Sequence, residues 1–125
     1  MKVLVTGGAG FIGSHVVEEL LKYKFEVIAV DNCVTGFLGN VPDSVRLYQM
    51  DLNDSKVEQV FKQERPDYVI HLAAQASVIV SMNDPYLDFF TNTAGTVNIL
   101  HLSKKYNVKK FLFAFTAAVY GEPLY

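Results

Sequence analysis

Thr6-Gly7-Gly8-Ala9-Gly10-Phe11-Ile12-Gly13 follows a short apolar run and leads into an amphipathic stretch. Glycines at this spacing let a chain turn sharply and let an anion come close to the backbone. A helix that starts there aims its unpaired N–H groups at the anion. An ordinary tight strand-to-helix turn also uses glycine, but a strand before it and an amphipathic helix after it favour the cradling of a dinucleotide pyrophosphate. Asp31 stands 18 residues beyond Gly13, at the end of the apolar run Val27-Ile28-Ala29-Val30. A carboxylate in that place accepts hydrogen bonds from adenosine ribose hydroxyls and repels a 2'-phosphate, which specifies NAD over NADP; the alternative is a solvated turn acid in Asp31-Asn32. Asp51-Leu52, closing a third apolar run, is a weaker candidate for the adenine edge and is equally readable as a structural turn.

These groups need a scaffold that brings the ends of separate strands together. Five runs rich in β-branched and aromatic residues read as strands: Lys2 to Val5, Glu26 to Val30, Val45 to Tyr48, Tyr68 to Leu72 and Lys110 to Phe115. Between the first two, Ile12, Val16, Val17, Leu20 and Leu21 recur at helical spacing, opposite Glu18, Glu19 and Lys22. Ser55 to Glu58 fits a capping box opening a helix with Val57, Val60 and Phe61 that must end by Pro66. Asp84-Pro85 reads as an N-cap with proline in the first turn of the longest helix, which carries Leu87, Phe90, Val97, Leu100 and Leu102.

Alternating strands and helices imply an α/β fold with a doubly wound parallel sheet, because parallel neighbours need right-handed crossovers. A Rossmann-like order 3-2-1-4-5 is expected, with the ligand crevice where the order reverses, beside the C-terminal end of the first strand. The 125 residues suit one domain, and 50% apolar against 19% charged content points to buried strands. A formal charge of −2 with no basic cluster argues against nucleic-acid binding. The apolar start at Met1 is broken at Thr6-Gly7-Gly8, too early for a signal or membrane span, so a cytoplasmic protein is expected. The single cysteine, Cys33, fits a reducing compartment. His15, His71 and His101 match no zinc spacing, so packing or capping roles and no metal are expected.

The segments T-G-G-A-G-F-I-G-S-H, V-D-N, H-L-A-A-Q-A-S-V, N-T-A-G-T-V-N-I-L and T-A-A-V-Y-G, in this order, resemble the extended short-chain dehydrogenase/reductase family over essentially the whole chain. The likeness is greatest to its UDP-sugar 4-epimerases. It implies that Gly7, Gly10, Phe11, Ile12 and Gly13 hold the pyrophosphate of NAD, that Asp31 and Asn32 hold the adenosine ribose, and that Asp51 and Leu52 hold the adenine. Leu72, Ala73, Ala74 and Gln75 would line the cofactor channel, and Asn92 would support it from the long helix. Thr116, ending the fifth strand, takes the place of the family's catalytic serine or threonine, its hydroxyl bonding the sugar C4 oxygen. Related 4,6-dehydratases carry an Asp-Glu pair after that threonine. Ala117 and Ala118 stand there instead, favouring epimerisation over a dehydratase or decarboxylase. Ala114-Phe115 departs from the serines frequent in epimerases.

The family also uses a tyrosine whose phenol is acidified by a lysine four residues later, in a motif beyond Thr116. The chain's one Tyr-x-x-x-Lys match is Tyr106 with Lys110. Lys110 begins the fifth strand and Thr116 ends it, about 20 Å away at about 3.3 Å per residue, so a solvated helix end is the better reading of that pair. Tyr120 and Tyr125 have no lysine four residues on. The expectation is an NAD-binding domain over residues 1–125, without the family's substrate domain and silent in catalysis by itself; the full-length relatives would bind a UDP-sugar and pair as homodimers. A non-catalytic NAD module and a degenerate remnant are the alternatives.

Overall fold

Val3, Leu4 and Val5 are all buried. Successive strand residues point to opposite faces, so the first strand is covered on both sides, as strands of a parallel sheet are. A computed structural model describes residues 1–122 and places all five expected runs in one such sheet. Leu124 and Tyr125, which entered the search for a tyrosine–lysine pair, lie outside the described residues.

Strands β1 (Lys2–Thr6), β2 (Glu26–Asp31), β3 (Arg46–Gln49), β4 (Tyr68–His71) and β5 (Lys110–Phe113) form one sheet in the order β3-β2-β1-β4-β5. Every neighbouring pair is parallel, with Leu4 opposite Ile28 on one side and Val69 on the other. Helix α1 (Phe11–Lys22) covers one face, its Val17 clustering with Val3, Val5, Val27, Ala29 and Val45. Helices α2 (Val57–Glu64) and α5 (Gly95–Lys105) cover the other, where Phe61, Ile99 and Leu102 pack on Leu4, Ile28 and Val69. The order reverses at β1, and the expected doubly wound α/β architecture is observed.

Three local expectations need correcting. The capping box at Ser55 does not form: Asp54 accepts from the Lys56 N–H through Oδ1 (2.8 Å) and from Val57 N–H through its carbonyl (3.0 Å). A turn results, and the helix starts one residue late, at Val57 with Lys56 in the cap position. The segment from Asp84 is an interrupted helix: α4 (Pro85–Asp88) passes through a π turn (Phe89–Ala94) into α5, and α3 (Val78–Asn83) precedes it. Asp84 does cap it, its Oδ1 accepting from Leu87 N–H at 3.0 Å. Leu87, Phe90, Val97 and Leu100 are nevertheless exposed, and Ile99 and Leu102 supply the buried stripe. Finally, β5 ends at Phe113 instead of Phe115. Among the described residues no helix is long and apolar enough to cross a membrane.

Beneath the sheet's N-terminal edge, Glu64 is buried and joins three elements. It accepts from Lys2 Nζ (3.0 Å), from Tyr48 Oη (2.6 Å) and from the Arg46 guanidinium.

Candidate functional site

At the opposite, C-terminal edge the five strands open into a cleft of about 380 Å³ beside the end of β1. Its walls come chiefly from four places where the chain leaves a strand: the glycine loop, the loops after β2 and β3, and the segment after β4. The glycine loop fits this place for steric reasons. Gly7 has φ +74, and a Cβ there would sit 2.7 Å from the Ala73 nitrogen; a Cβ on Gly13 would lie 1.9 Å from the Gly7 carbonyl oxygen. Helix α1 begins at once, capped at Gly10 without any side-chain hydrogen bond. The first N–H groups of a helix have no partner within it, so those at Phe11 and Ile12 are available to an anion at the cleft. Phe11 and Ile12 are themselves 80% and 66% exposed, which separates them from the buried stripe of α1.

Asp31, at the end of β2, is buried, and both its carboxylate oxygens are engaged by backbone. Oδ2 accepts from Ala9 N–H of the glycine loop (2.9 Å) and Oδ1 from Cys33 N–H (2.8 Å). Each oxygen retains lone-pair capacity toward the cleft. Asn32 donates through Nδ2 to Asp51 Oδ2 at 3.4 Å, tying the end of β2 to the segment after β3. Asp51 Oδ1 also takes Asn53 N–H at 2.9 Å, while Asn53 Nδ2 donates to Phe90 O (2.7 Å) and Asn98 Nδ2 to Leu52 O (2.6 Å). The Asp51-Leu52 turn is therefore pinned to the long helix from two points.

Of the candidates read from sequence, Gly7, Gly10, Phe11, Ile12, Gly13, Asp31, Asn32, Asp51, Leu52, Leu72, Ala73 and Ala74 line this cleft together. Gln75, Asn92 and Thr116 do not. Asn92, inside the π turn, clamps the main chain of Gln75: Oδ1 accepts Gln75 N–H (2.8 Å) and Nδ2 donates to Gln75 O (2.9 Å). Thr116 lies three residues beyond the end of β5, exposed, and its Oγ1 accepts Ala118 N–H (3.2 Å) at the start of a short 3₁₀ turn, Ala117–Tyr120. Sequence reasoning missed Val30, Thr35, Gly36, Met50, Thr91 and Ala114, which also line the cleft. Val30 and Met50 adjoin residues it did find at the mouths of β2 and β3, and Thr35 and Gly36 lie further along the loop after β2; Thr91 lines the cleft from within the π turn, which leaves no mark in sequence.

His71, deep under the Leu72–Ala74 wall, is 1% exposed, and burial lowers its pKa to about 4. It bonds Thr6 Oγ1 at 2.6 Å and Thr96 Oγ1 at 2.8 Å. Tyr106 and Lys110 lie at the far edge of the sheet from the cleft; the Tyr106 hydroxyl donates to Glu58 at 2.9 Å.

Comparison with known proteins agrees with this geometry. The profile of the NAD dependent epimerase/dehydratase family matches residues 3–124. A UDP-glucose 4-epimerase from Lacticaseibacillus casei is 43% identical over 98% of this chain, which spans 38% of that protein. Among solved structures, UDP-glucose 4-epimerase from Thermus thermophilus in complex with NAD superposes with a TM-score of 0.90 at 52% identity, over 93% of this chain and 38% of that one. The Thermotoga maritima UDP-glucose 4-epimerase with UDP-glucose gives 0.93 at 46% identity, over 100% of this chain and 41% of that one. The chain thus spans about two fifths of the relatives it matches.

Proposed function

Because the chain belongs to the NAD dependent epimerase/dehydratase family, we propose that it is the dinucleotide-binding part of an NAD-dependent UDP-sugar 4-epimerase. The observation that carries this reading is the cleft at the strand-order reversal: Gly7 and Gly13 leave no room for a Cβ, and Asp31 stands at the wall. The residues fit NAD. Backbone N–H groups at Phe11 and Ile12 hold the pyrophosphate, aided by the helix dipole. Asp31 and Asn32 take the adenosine ribose hydroxyls, and the negative charge of Asp31 disfavours a 2'-phosphate. Leu52 and Met50 offer apolar contact to the adenine, and the Leu72–Ala74 wall, kept in place by Asn92 through Gln75, borders the rest of the channel.

NAD held there would supply a hydride acceptor and donor for the sugar C4. The chain's own contribution to that chemistry is Thr116, whose hydroxyl orients the C4 oxygen of a bound UDP-sugar. Ala117 and Ala118 offer neither acid nor base, so elimination of water from the sugar has no proton carrier there. Titration calorimetry with NAD and NADP tests the reading: NAD should bind at least about tenfold tighter, given a charge–charge penalty above about 1.4 kcal/mol. Absence of NAD binding would overturn it.

A second reading, a module that holds NAD without turnover, is favoured by one observation: Thr116 is exposed and does not line the cleft. Adding a separately produced C-terminal portion of a related epimerase distinguishes the two. Recovered UDP-sugar epimerisation supports the epimerase part, and NAD binding without recovery supports the module.

A further inference from the structure

The loop after β2 is strapped onto the glycine loop. The Ala9 carbonyl accepts two hydrogen bonds from it, one from Phe37 N–H (3.1 Å) and one from Asn40 Nδ2 (3.0 Å). On the other side of the same residue, Ala9 N–H is held by Asp31 Oδ2 at 2.9 Å. Ala9 is completely buried, and Gly36 lies so close that a Cβ on it would come within 3.0 Å of the Ala9 carbonyl carbon and Cβ. Asn40 terminates a 3₁₀ turn (Leu38–Asn40), and its own N–H donates to Phe37 O at 2.9 Å. The span between the two anchors, Asp31 and Asn40, includes Asn32, Thr35 and Gly36, three residues lining the cleft.

The geometry points to Asn40 as a positioning residue. Its side-chain amide closes the loop onto Ala9 and so pre-forms the wall that meets the adenosine ribose. This inference rests on the dinucleotide reading above. The physical reason is the entropy of a nine-residue connection from Asn32 to Asn40 with no strand and one short turn. Left unstrapped, such a loop must be ordered at the moment of binding, and that cost is subtracted from affinity. Only proline would delete the main-chain bond from Phe37, and it would also force φ there from −115 toward about −65, whereas the bond from Asn40 is a side-chain feature of an exposed residue and is removed by a simple substitution.

The test is titration calorimetry of NAD and of AMP on the full chain, the Asn40→Ala variant and the Asn40→Asp variant. Urea midpoints without ligand are measured in parallel. Asn40→Asp keeps the shape and has no donor. Loss of one hydrogen bond should weaken NAD binding roughly 3- to 10-fold. AMP should weaken by the same factor, since it occupies the adenosine end alone, and the unliganded urea midpoints should stay near that of the unsubstituted chain. Gly36→Ala, which forces the wall away from Ala9, should reproduce the loss. Unchanged affinities in both Asn40 variants would overturn the inference. So would a loss seen with NAD and not AMP, or one accounted for by unfolding of the unliganded variant. If the unsubstituted chain binds neither ligand, the dinucleotide reading itself falls, and this inference with it.

Discussion

Thr6 and His71 meet in the core with Thr6 Oγ1 2.6 Å from Nδ1 of the imidazole, and the direction of every proton around them can be deduced. Thr6 Oγ1 accepts from the backbone N–H groups of Leu72 (3.2 Å) and Ala73 (3.3 Å), so its own hydrogen goes to Nδ1. Thr96 Oγ1 donates to Asn92 O at 2.7 Å, so it accepts from Nε2–H of His71. His71 is therefore the neutral Nε2–H tautomer, stacked on Phe113 with ring centroids 5.7 Å apart. The relay joins β1, β4 and the long helix beneath the Leu72–Ala74 wall. It continues through Asn92 to Gln75, which makes the channel wall an extension of a fully satisfied buried network.

A pH dependence follows from that tautomer. Burial lowers the His71 pKa from 6.5 to about 4 in the folded chain, so between those values the unfolded state binds the extra proton. Stability from this group is complete above about pH 6.5 and is lost as pH falls through about 4. The total is on the order of 3 kcal/mol at about 1.4 kcal/mol per pKa unit. Urea midpoints from pH 7.5 to 4 should fall accordingly, and His71→Asn, less stable at neutral pH, should remove the part of the slope above pH 5. An unchanged slope in that variant would assign the dependence to other groups.

Glu64 governs a lower pH window. Its burial pushes the carboxyl pKa up, but hydrogen bonds from Tyr48, Lys2 and Arg46 outweigh that and bring it from 4.5 down to about 2. The stability it gives is present above about pH 4.5 and is lost as pH falls toward about 2. Glu64→Gln should cost about 2 kcal/mol at pH 7, less than the roughly 3–5 typical of breaking a fully buried pair. The discount reflects Arg46, whose side chain is 59% exposed and rehydrates. Equilibrium urea unfolding at pH 7 and pH 3 checks it: the gap between variant and unsubstituted chain should narrow at pH 3.

Much of this architecture was legible in the residues, and the failures have local causes. Five apolar runs match five strands in the expected order; the inner strands β1, β2 and β4 carry the buried residues and so leave the plainest signal. The Ser55 capping box failed because Asp54, one residue earlier, turns the chain through the Lys56 and Val57 amides, and the Glu58 carboxylate is taken by Lys105 and Tyr106. The long helix misled because apolar residues surround it: Phe89 and Phe90 are exposed while Gly95 and Ser103 are buried, and a π turn shifts the phase midway. In the site, residues that act by backbone position, such as Gly7 and Gly13, were readable from spacing. The Asn92 clamp on Gln75 and the Asn98 bond to Leu52 O depend on side-chain direction, which spacing does not encode.

Gly13 offers a steric test of the glycine loop. An alanine there would place its Cβ 1.9 Å from the Gly7 carbonyl oxygen, a backbone atom that cannot move without opening the loop. Gly13→Ala should therefore destabilise by about 3 kcal/mol or more, at or beyond the upper end of ordinary overpacking, and should abolish NAD binding. Gly10→Ala, whose Cβ would meet the same oxygen at 3.3 Å, should be milder on both counts. Urea unfolding and calorimetry of the two variants decide it; equal effects would mean that the clash is relieved elsewhere.

Replacing the acid at the end of β2 should not convert the cleft to NADP. If Asp31 acted by charge alone, Asp31→Arg would turn repulsion of a 2'-phosphate into attraction. Its oxygens, however, also hold Ala9 N–H at 2.9 Å and Cys33 N–H at 2.8 Å, and an arginine accepts neither. The variant leaves two amides unpaired, one of them on a fully buried residue, and unties Ala9 N–H from the end of β2, leaving only the Phe37 and Asn40 bonds to the Ala9 carbonyl. Asp31→Arg should thus lose NAD affinity by more than about 30-fold, from two lost hydrogen bonds to a charged acceptor, while gaining little for NADP. Asp31→Asn keeps one acceptor oxygen and should lie between. Parallel titrations of both dinucleotides on the three proteins give the answer: tight NADP binding by Asp31→Arg would show that the carboxylate serves by its charge and that the loop holds without it.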